Sequence, residues 1–160
     1  MITTKIQVKP FLAEYAKNRF SVEGKEYIQF RESDYMYHVV HNLMSKRPNS
    51  EKFDSGNLEI ALPHRSRGKC PEIYNYITES GQKIIEQKLN RLFWAHVHEF
   101  VDEQVRTHCE PINESVYLFI SEFGISEITE DALLKSYYRW REKARRKTKK
   151  RKYNAPKKSG

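Results

Sequence analysis

The stretch from Asn113 to Lys152 reads NESVYLFISEFGISEITEDALLKSYYRWREKARRKTKKRK, and it decides our interpretation of the fold. Its first part places apolar residues at i, i+3, i+4 and i+7, which is the spacing of one face of an α-helix. These residues are Val116, Phe119, Ile120 and Phe123. Gly124 follows and suits the left-handed position that ends a helix. The sequence therefore predicts a short helix from Glu114 to Phe123.

A second, longer helix is predicted to follow this turn. The Thr129 hydroxyl can cap it, and Glu130 and Asp131 in its first turn favour the positive end of the helix dipole. Ile128 and Leu133 have the spacing of a hydrophobic staple. The sequence therefore predicts two helices joined by a tight turn.

The second predicted helix has an apolar face and a basic face. Its apolar residues recur at intervals of four, three and four: Leu133, Tyr137, Trp140 and Ala144. Cations occupy the other side: Lys135, Arg139, Lys143, Arg146 and Lys150. Such a helix can pack through one face and present cations to a phosphate backbone or groove. The plainer alternative is the solvated face of an ordinary terminal helix.

The net charge is unevenly distributed along the chain. The whole chain has 29 Lys and Arg against 21 Asp and Glu, a net charge of +8. Residues 141–160 hold eleven of the basic residues and one acid, which leaves 18 basic and 20 acidic residues, a net of −2, in residues 1–140. A near-neutral body with a cationic end is typical of an arm that binds a polyanion. Nucleic acid is the leading predicted partner.

Length and composition limit the class of protein. A chain of 160 residues, 38% of them hydrophobic, is long enough for one domain with a real core. No apolar run is long enough to span a membrane, and the first residues carry no secretory signal. Cys70 and Cys109 are far apart and form no CxxC pair. We expect a cytoplasmic protein, associated with the nucleoid if the source is bacterial or with the virion if it is a phage.

Residues 1–112 are predicted to form an α+β body that begins in β-α-β-α-β order. Alternating patterns predict strands within 2–9, 25–30 and 57–63. Helical spacing predicts one helix from Pro10, which suits the first helical position, and a second helix capped by Ser33. The predicted fold class is α+β and mostly α.

A basic loop and a long helix complete the predicted body. The loop HRSRGK, residues 64–69, is either a polar connector or a secondary phosphate contact, because Gly68 lets the backbone approach a ligand. A helical region is predicted from Pro71 to Arg106, with an interruption at Ser80–Gly81 left open. The candidate secondary contacts are Arg65, Arg67 and Lys69.

Catalytic and metal-binding patterns are weak in this sequence. His96 and His98 spell the histidine–hydrophobic–histidine triplet of the HUH endonucleases, but helical periodicity around them points the two side chains roughly 200° apart. The endonuclease motif needs both histidines on one face of a strand. His38 and His41 have no carboxylate or Cys at ligand spacing, so we expect them to stack on a polar helix face. The sequence predicts no enzyme, no metal and no cofactor.

The segment FISEFGISEITEDALLKSYYRWR resembles a helix-turn-helix of the kind found in regulators and in small phage or mobile-element proteins. Gly124, Ile125 and Leu133 match the turn glycine and packing positions of that motif. Glu130 stands where the compact motif has an apolar residue. The turn is also longer than the turn of that motif by one or two residues. The resemblance covers about a quarter of the chain. It implies DNA binding by a looser variant of the motif.

These observations predict a non-catalytic protein that binds nucleic acid, with duplex DNA favoured over RNA. Tyr137 and Trp140 are assigned to packing, which leaves Tyr138 as the one aromatic residue of this helix for stacking on unpaired bases. We expect the helix pair to span 113–146 and a flexible basic tail to span 147–160. Lys135, Ser136 and Arg139 are the candidates for base edges. The remaining candidate contacts are Arg141, Lys143, Arg145, Arg146, Lys147, Lys149, Lys150, Arg151 and Lys152.

Two other functions stay open at this point. The chain could be a phage, virion or other assembly protein whose tail contacts nucleic acid or an acidic partner, or it could bind RNA. A homodimer or a larger assembly is compatible with each reading. A regulator would space two recognition helices by about one DNA turn, whereas an assembly component would expose a wide apolar patch.

Overall fold

The computed structural model of the chain describes residues 1–51, 53–154 and 156. It is 55% helical, so the predicted α+β, mostly α fold class is confirmed. The helices are α1 (Pro10–Arg19), α2 (Tyr35–Leu43), α3 (Glu79–Thr107), α4 (Ile112–Phe123) and α5 (Glu130–Tyr153). The strands are β1 (Thr3–Ile6), β2 (Met44–Ser45), β3 (Leu58–Ala61) and β4 (Tyr76–Ile77).

The chain divides into two compact units. The first unit is Met1–Phe93 with Ser121–Glu127, and the second is Trp94–Ile120 with the residues from Ile128 on. The boundaries between the units therefore fall within α3, within α4 and between α4 and α5. Both units take part of their structure from the same two helices.

The first unit contains a small antiparallel sheet of β1 and β3, paired from Thr3 with Ala61 to Ile6 with Leu58. The first and third predicted strands are thus confirmed. The predicted strand at 25–30 is wrong, because within this segment only Ile28 pairs, in isolated bridges with Ser21 and with Ile60 of β3. The Ile28 amide donates to Glu59 O at 2.9 Å, and the Gln29 amide donates to Phe20 O at 3.1 Å on the other side of the segment.

A second sheet of β2 and β4, two residues each, was not predicted. Strand β4 occupies part of the region where the sequence predicted the long helix. The helix was predicted to begin at Pro71, but it begins at Glu79. The Thr78 hydroxyl accepts from the Gly81 amide at 3.1 Å, so Ser80 and Gly81 belong to the first turn and do not interrupt the helix. Helix α2 begins after Asp34, one residue beyond the predicted Ser33 cap.

The expected exposed stacking of His38 and His41 is also wrong, because His41 is buried with only 7% of its surface exposed. The loop 64–69 covers it, and a Cβ on Gly68 would lie 3.0 Å from the His41 ring. Burial lowers the pKa of His41, and the nearby cations Arg65 and Lys69 lower it further. The buried ring is therefore neutral near pH 7.

The turn between α4 and α5 is held by Glu14 of α1. Gly124 ends α4 with a φ of 58°, as the sequence predicts. The Glu14 carboxylate accepts hydrogen bonds from the Ser126 amide at 3.0 Å and the Glu127 amide at 3.1 Å. Burial raises the pKa of Glu14, but the hydrogen bonds from Ser126 and Glu127 outweigh this effect and lower it. The turn is therefore fixed by a charged, multiply bonded side chain.

Candidate nucleic-acid interface

Helix α5 begins where the sequence predicts. The Thr129 side chain accepts a hydrogen bond from the Ala132 amide at 3.2 Å, and Glu130 and Asp131 occupy the first turn. This cap satisfies one of the amides that a helix start leaves without an intrahelical partner. The first residues of α5 thus have a defined register on which its later side chains depend.

Two buried side chains anchor α5 in the second unit. Leu133 has none of its surface exposed and Tyr137 only 1%, so the predicted apolar stripe is confirmed at these two positions. The Tyr137 hydroxyl donates to Asp102 Oδ1 at 3.3 Å, and Asp102 also pairs with Arg106 at 2.6 Å. Burial and the Asp102 carboxylate raise the pKa of Tyr137. The phenol therefore stays protonated and serves as a donor to α3.

A histidine of α3 sets the position of the next α5 side chains. His98 Nε2 lies 2.9 Å from the Ser136 hydroxyl, and its ring stacks on Trp140 with centroids 5.2 Å apart at 19°. Trp94, one turn earlier on α3, lies 6.2 Å from the same ring. Burial lowers the pKa of His98, which favours the neutral ring at pH 7. His98 thus orients Ser136 and Trp140 without adding charge.

The three candidates for base contacts line one cleft of the second unit. Its volume is about 560 Å³. Lys135 pairs with Asp131 at 2.8 Å, and both side chains are mostly exposed, so a phosphate can replace the carboxylate at little cost. The Ser136 hydroxyl is engaged with His98 and would have to share that bond with a base. The cleft is lined by Trp94, His98, Thr129, Asp131, Ala132, Lys135, Ser136 and Arg139.

Other predicted cations line two further concavities along α5. One of about 440 Å³ includes Arg141, Arg145 and Lys149 together with Asp102 and Trp140. The other, of about 470 Å³, is lined by Tyr138, Arg139, Arg141, Glu142, Lys143, Arg145 and Arg146. The last predicted contacts are exposed on the final turns: Lys147, Lys150, Arg151 and Lys152.

The end of α5 differs from the prediction. The sequence places the end of the helix at residue 146 and a tail after it, but the helix continues to Tyr153, and the Asn154 amide still donates to Lys150 O at 3.0 Å. Good helix formers, mainly Lys and Arg, explain the continuation. Every residue from 142 to 154 is exposed, including Ala144 of the predicted apolar stripe. Residues 155 and 157–160 of the predicted tail lie outside the described residues.

The exposed part of α5 is electrostatically unfavourable by itself. Between Lys143 and Lys152 the chain has eight Lys or Arg and no acid. Like charges repeat at i, i+4, as in Lys143 with Lys147 and Arg145 with Lys149, and such pairs destabilise a helix. Arg146 has a compensating partner in Glu142, at 3.3 Å. An external polyanion would remove this repulsion.

The candidate secondary contacts lie in the first unit. Arg65 and Arg67 are exposed on the loop 64–69. Lys69 donates from Nζ to Asn42 O at 2.6 Å, so its ammonium group already has an acceptor. Arg65 and Arg67 are therefore the more available cations of this loop.

The HUH-like triplet has the helical geometry that the sequence indicates. His96 and His98 both lie within α3. The His96 ring packs edge-on against Phe119 at 5.3 Å, whereas His98 faces Ser136 and Trp140. The two rings thus have different neighbours. Among the described residues, no group of three or more His, Cys, Asp or Glu could hold a metal ion.

Sequence reasoning missed Trp94 and His98 as members of the cleft. They lie at i, i+4 on α3, next to the buried stripe that includes Phe93 and Val97. That spacing marks a second, less apolar face of the helix. It could have identified these residues as a pair, but not their contact with Ser136.

Comparison with family models, with curated proteins and with solved structures finds no match to this chain. No helix in the described part of the chain has the length and apolar character needed to cross a bilayer.

Proposed function

We propose that this protein binds duplex DNA without catalysis and that α5 is its contact surface. The observation that carries the proposal is the run from Lys143 to Lys152, in which eight cations are all exposed and no acid is present. Phosphate contacts by such cations release condensed counterions and supply much of the affinity for DNA. The like-charge repulsion within the run adds a reason for a polyanionic partner.

The cleft at the beginning of α5 adds a surface suited to reading bases. Lys135 and Arg139 lie one turn apart at its edge, and Arg in particular can bond a guanine with two donors. From Lys135 to Lys152 the helix extends about 26 Å, which is long enough to follow a groove past several phosphates. In this proposal α5 acts as the recognition helix of a loose helix-turn-helix, and its last turns bind the backbone.

Duplex DNA is preferred to single strands because three of the four aromatic rings of α5 already have neighbours that compete with base stacking, and the fourth, Tyr153, is a single exposed ring. Tyr137 is buried, and Trp140 is stacked on His98. Tyr138 is 48% exposed, but the Arg141 guanidinium lies 6.0 Å from its ring centroid. Binders of single strands use several such platforms. A DNA-binding role would place the protein with the nucleic acid of the cytoplasm, the nucleoid or a virion. A homodimer would present two copies of α5 to the duplex.

The proposal is tested by a salt titration of binding to a 20-base-pair duplex. We expect Lys135→Ala/Arg139→Ala to weaken binding about 10- to 100-fold at 0.1 M salt and to reduce the slope of log K against log salt by about 2, because each lost phosphate contact contributes about 0.9. If Arg139 contacts a base, the difference in binding free energy between the preferred sequence and other sequences also falls by about 1–3 kcal/mol.

The matched control is Lys83→Ala/Arg31→Ala, which removes the same charge from exposed positions of the first unit. Lys83 pairs with Glu79 at i, i+4, as Lys135 does with Asp131. Equal effects of the two double variants would contradict the proposal. Tighter binding to duplex RNA than to duplex DNA would favour the RNA-binding alternative, and binding of neither would favour an assembly protein with an acidic partner.

A further inference from the structure

The first unit contains a cavity of about 390 Å³. Its volume falls at the lower end of the range for small-molecule sites, about 300–1,000 Å³. Residues from the end of α1, the beginning of α2 and one face of α3 line it. They are Arg19, Phe20, Asp34, Tyr35, Met36, Lys88, Arg91 and Leu92.

The walls of this cavity combine aromatic and aliphatic surfaces. Tyr35 keeps 64% of its surface exposed although it is a large ring, and Met36 beside it is buried. Phe20 is fixed by an edge contact with Phe30, with centroids 4.8 Å apart. Leu92 completes the wall from α3. A planar ring can therefore pack against fixed apolar side chains and against the exposed Tyr35.

Three cations border these walls, and one of them, Arg19, donates a hydrogen bond to the Tyr15 hydroxyl. Within the described part of the chain, Lys88 and Arg91 form no ion pair. The one acid of the lining, Asp34, already accepts the Arg31 amide at 2.8 Å. The Arg19 guanidinium lies 5.6 Å from the Phe20 ring centroid, and the Lys88 ammonium lies 5.6 Å from that of Tyr35. Lys88 and Arg91 thus leave positive charge beside the aromatic rings of the cavity.

We propose that this cavity binds a nucleoside phosphate, with the base against Tyr35 and Phe20 and the phosphate at Lys88 and Arg91. A phosphate monoester carries nearly two negative charges at pH 7, which the two cations Lys88 and Arg91 can balance. Stacking of the base on an aromatic residue strengthens binding, and each cation close to the phosphate adds a charge-assisted bond. The same chemistry is presented by a free nucleotide and by an unpaired nucleotide at a strand end.

The experiment is a calorimetric titration of the full chain with AMP, adenosine and inorganic phosphate. We expect AMP to bind at least tenfold more tightly than adenosine or phosphate. Tyr35→Ala should weaken AMP binding about 5- to 100-fold, and Lys88→Ala/Arg91→Ala should weaken it at least tenfold. Tyr35 is exposed, so its replacement should leave the fold intact, which circular dichroism checks.

Two matched variants control for general effects. Tyr117→Ala removes another exposed tyrosine, 59% exposed, and Lys83→Ala removes an exposed lysine of α3 outside the cavity. Both should bind AMP as the parent chain does. Lys135→Ala/Arg139→Ala should do so as well, which keeps this site separable from the proposed DNA surface.

The source of the nucleotide is assigned by comparing a blunt duplex with one that has a single-stranded overhang. If Tyr35→Ala weakens binding of the overhang substrate alone, the ligand is a strand end. If it weakens free AMP binding alone, the ligand is a free nucleotide. The proposal is overturned if neither ligand responds to Tyr35→Ala and Lys88→Ala/Arg91→Ala, or if phosphotyrosine binds more tightly than every nucleotide.

Discussion

Replacing the last five cations of α5 with Gln should lower the affinity for duplex DNA about 10³-fold at 0.1 M salt. Each phosphate contact contributes about 0.9 to the salt exponent, so three or four lost contacts reduce the slope of log K against log salt by about 3–4. A salt titration by fluorescence anisotropy measures both quantities. The replaced residues are Lys147, Lys149, Lys150, Arg151 and Lys152, all of them exposed.

Because α5 continues to Tyr153, a truncation at residue 146 would remove part of the helix together with the cations. The Gln variant removes the charge alone. Gln has a helix propensity close to that of Lys and Arg, and it relieves like-charge pairs such as Lys147 with Arg151. Circular dichroism should therefore show no loss of helix. The control replaces five exposed cations of the first unit with Gln: Lys5, Lys17, Lys25, Arg31 and Lys83. A salt slope that is the same in both variants would refute a role for the end of α5.

The second large effect concerns the fold. Gly56→Ala should lower the free energy of unfolding by about 3 kcal/mol or more. A Cβ at this position would lie 2.1 Å from the carbonyl oxygen of Ile6, and the Gly56 φ of 153° also disfavours a side chain. The contact is with backbone, so no rotamer change relieves it. Next to it, Asn57 bonds both backbone groups of Val8, at 3.0 and 2.7 Å, and fixes the separation of the two segments.

Gly24→Ala is the matched control for this prediction. Gly24 also has a positive φ, 70°, but a Cβ there would meet nothing within 4 Å. Only the backbone conformation is then unfavourable, so Gly24→Ala should lower the free energy of unfolding by about 1–2 kcal/mol. Urea unfolding of both variants measures the difference. If Gly56→Ala is no more destabilising than Gly24→Ala, the close approach to Ile6 is not a feature of the folded chain in solution.

The sequence predicted those features of the fold that depend on neighbouring residues. Pro10, Gly124 and Thr129 mark helix ends through their own backbone and side-chain preferences, and all three lie where expected. The buried positions Leu133 and Tyr137 follow from helical spacing. The cations of α5 could be listed as candidate contacts because charge is read directly from the sequence.

Features that depend on distant residues could not be predicted in this way. Strands β2 and β4 are two residues long, which is too short to show alternation. For this reason the sequence predicted helix where β4 lies and placed the start of α3 too early. The burial of His41 depends on a loop more than twenty residues later in the chain. The bond of His98 with Ser136 joins residues 38 positions apart. No local pattern contains that information.

The most direct test of the central claim is amide hydrogen exchange of the full chain with and without a 20-base-pair DNA duplex at 50 mM salt. Every residue of α5 from 143 to 153 is exposed, so the amides of these turns should exchange quickly in the free protein. We predict that bound DNA slows exchange across residues 143–153 and that 0.5 M salt abolishes this protection, while the first unit changes little. Protection confined to the first unit, or none in 143–153 at saturating DNA, would contradict the account.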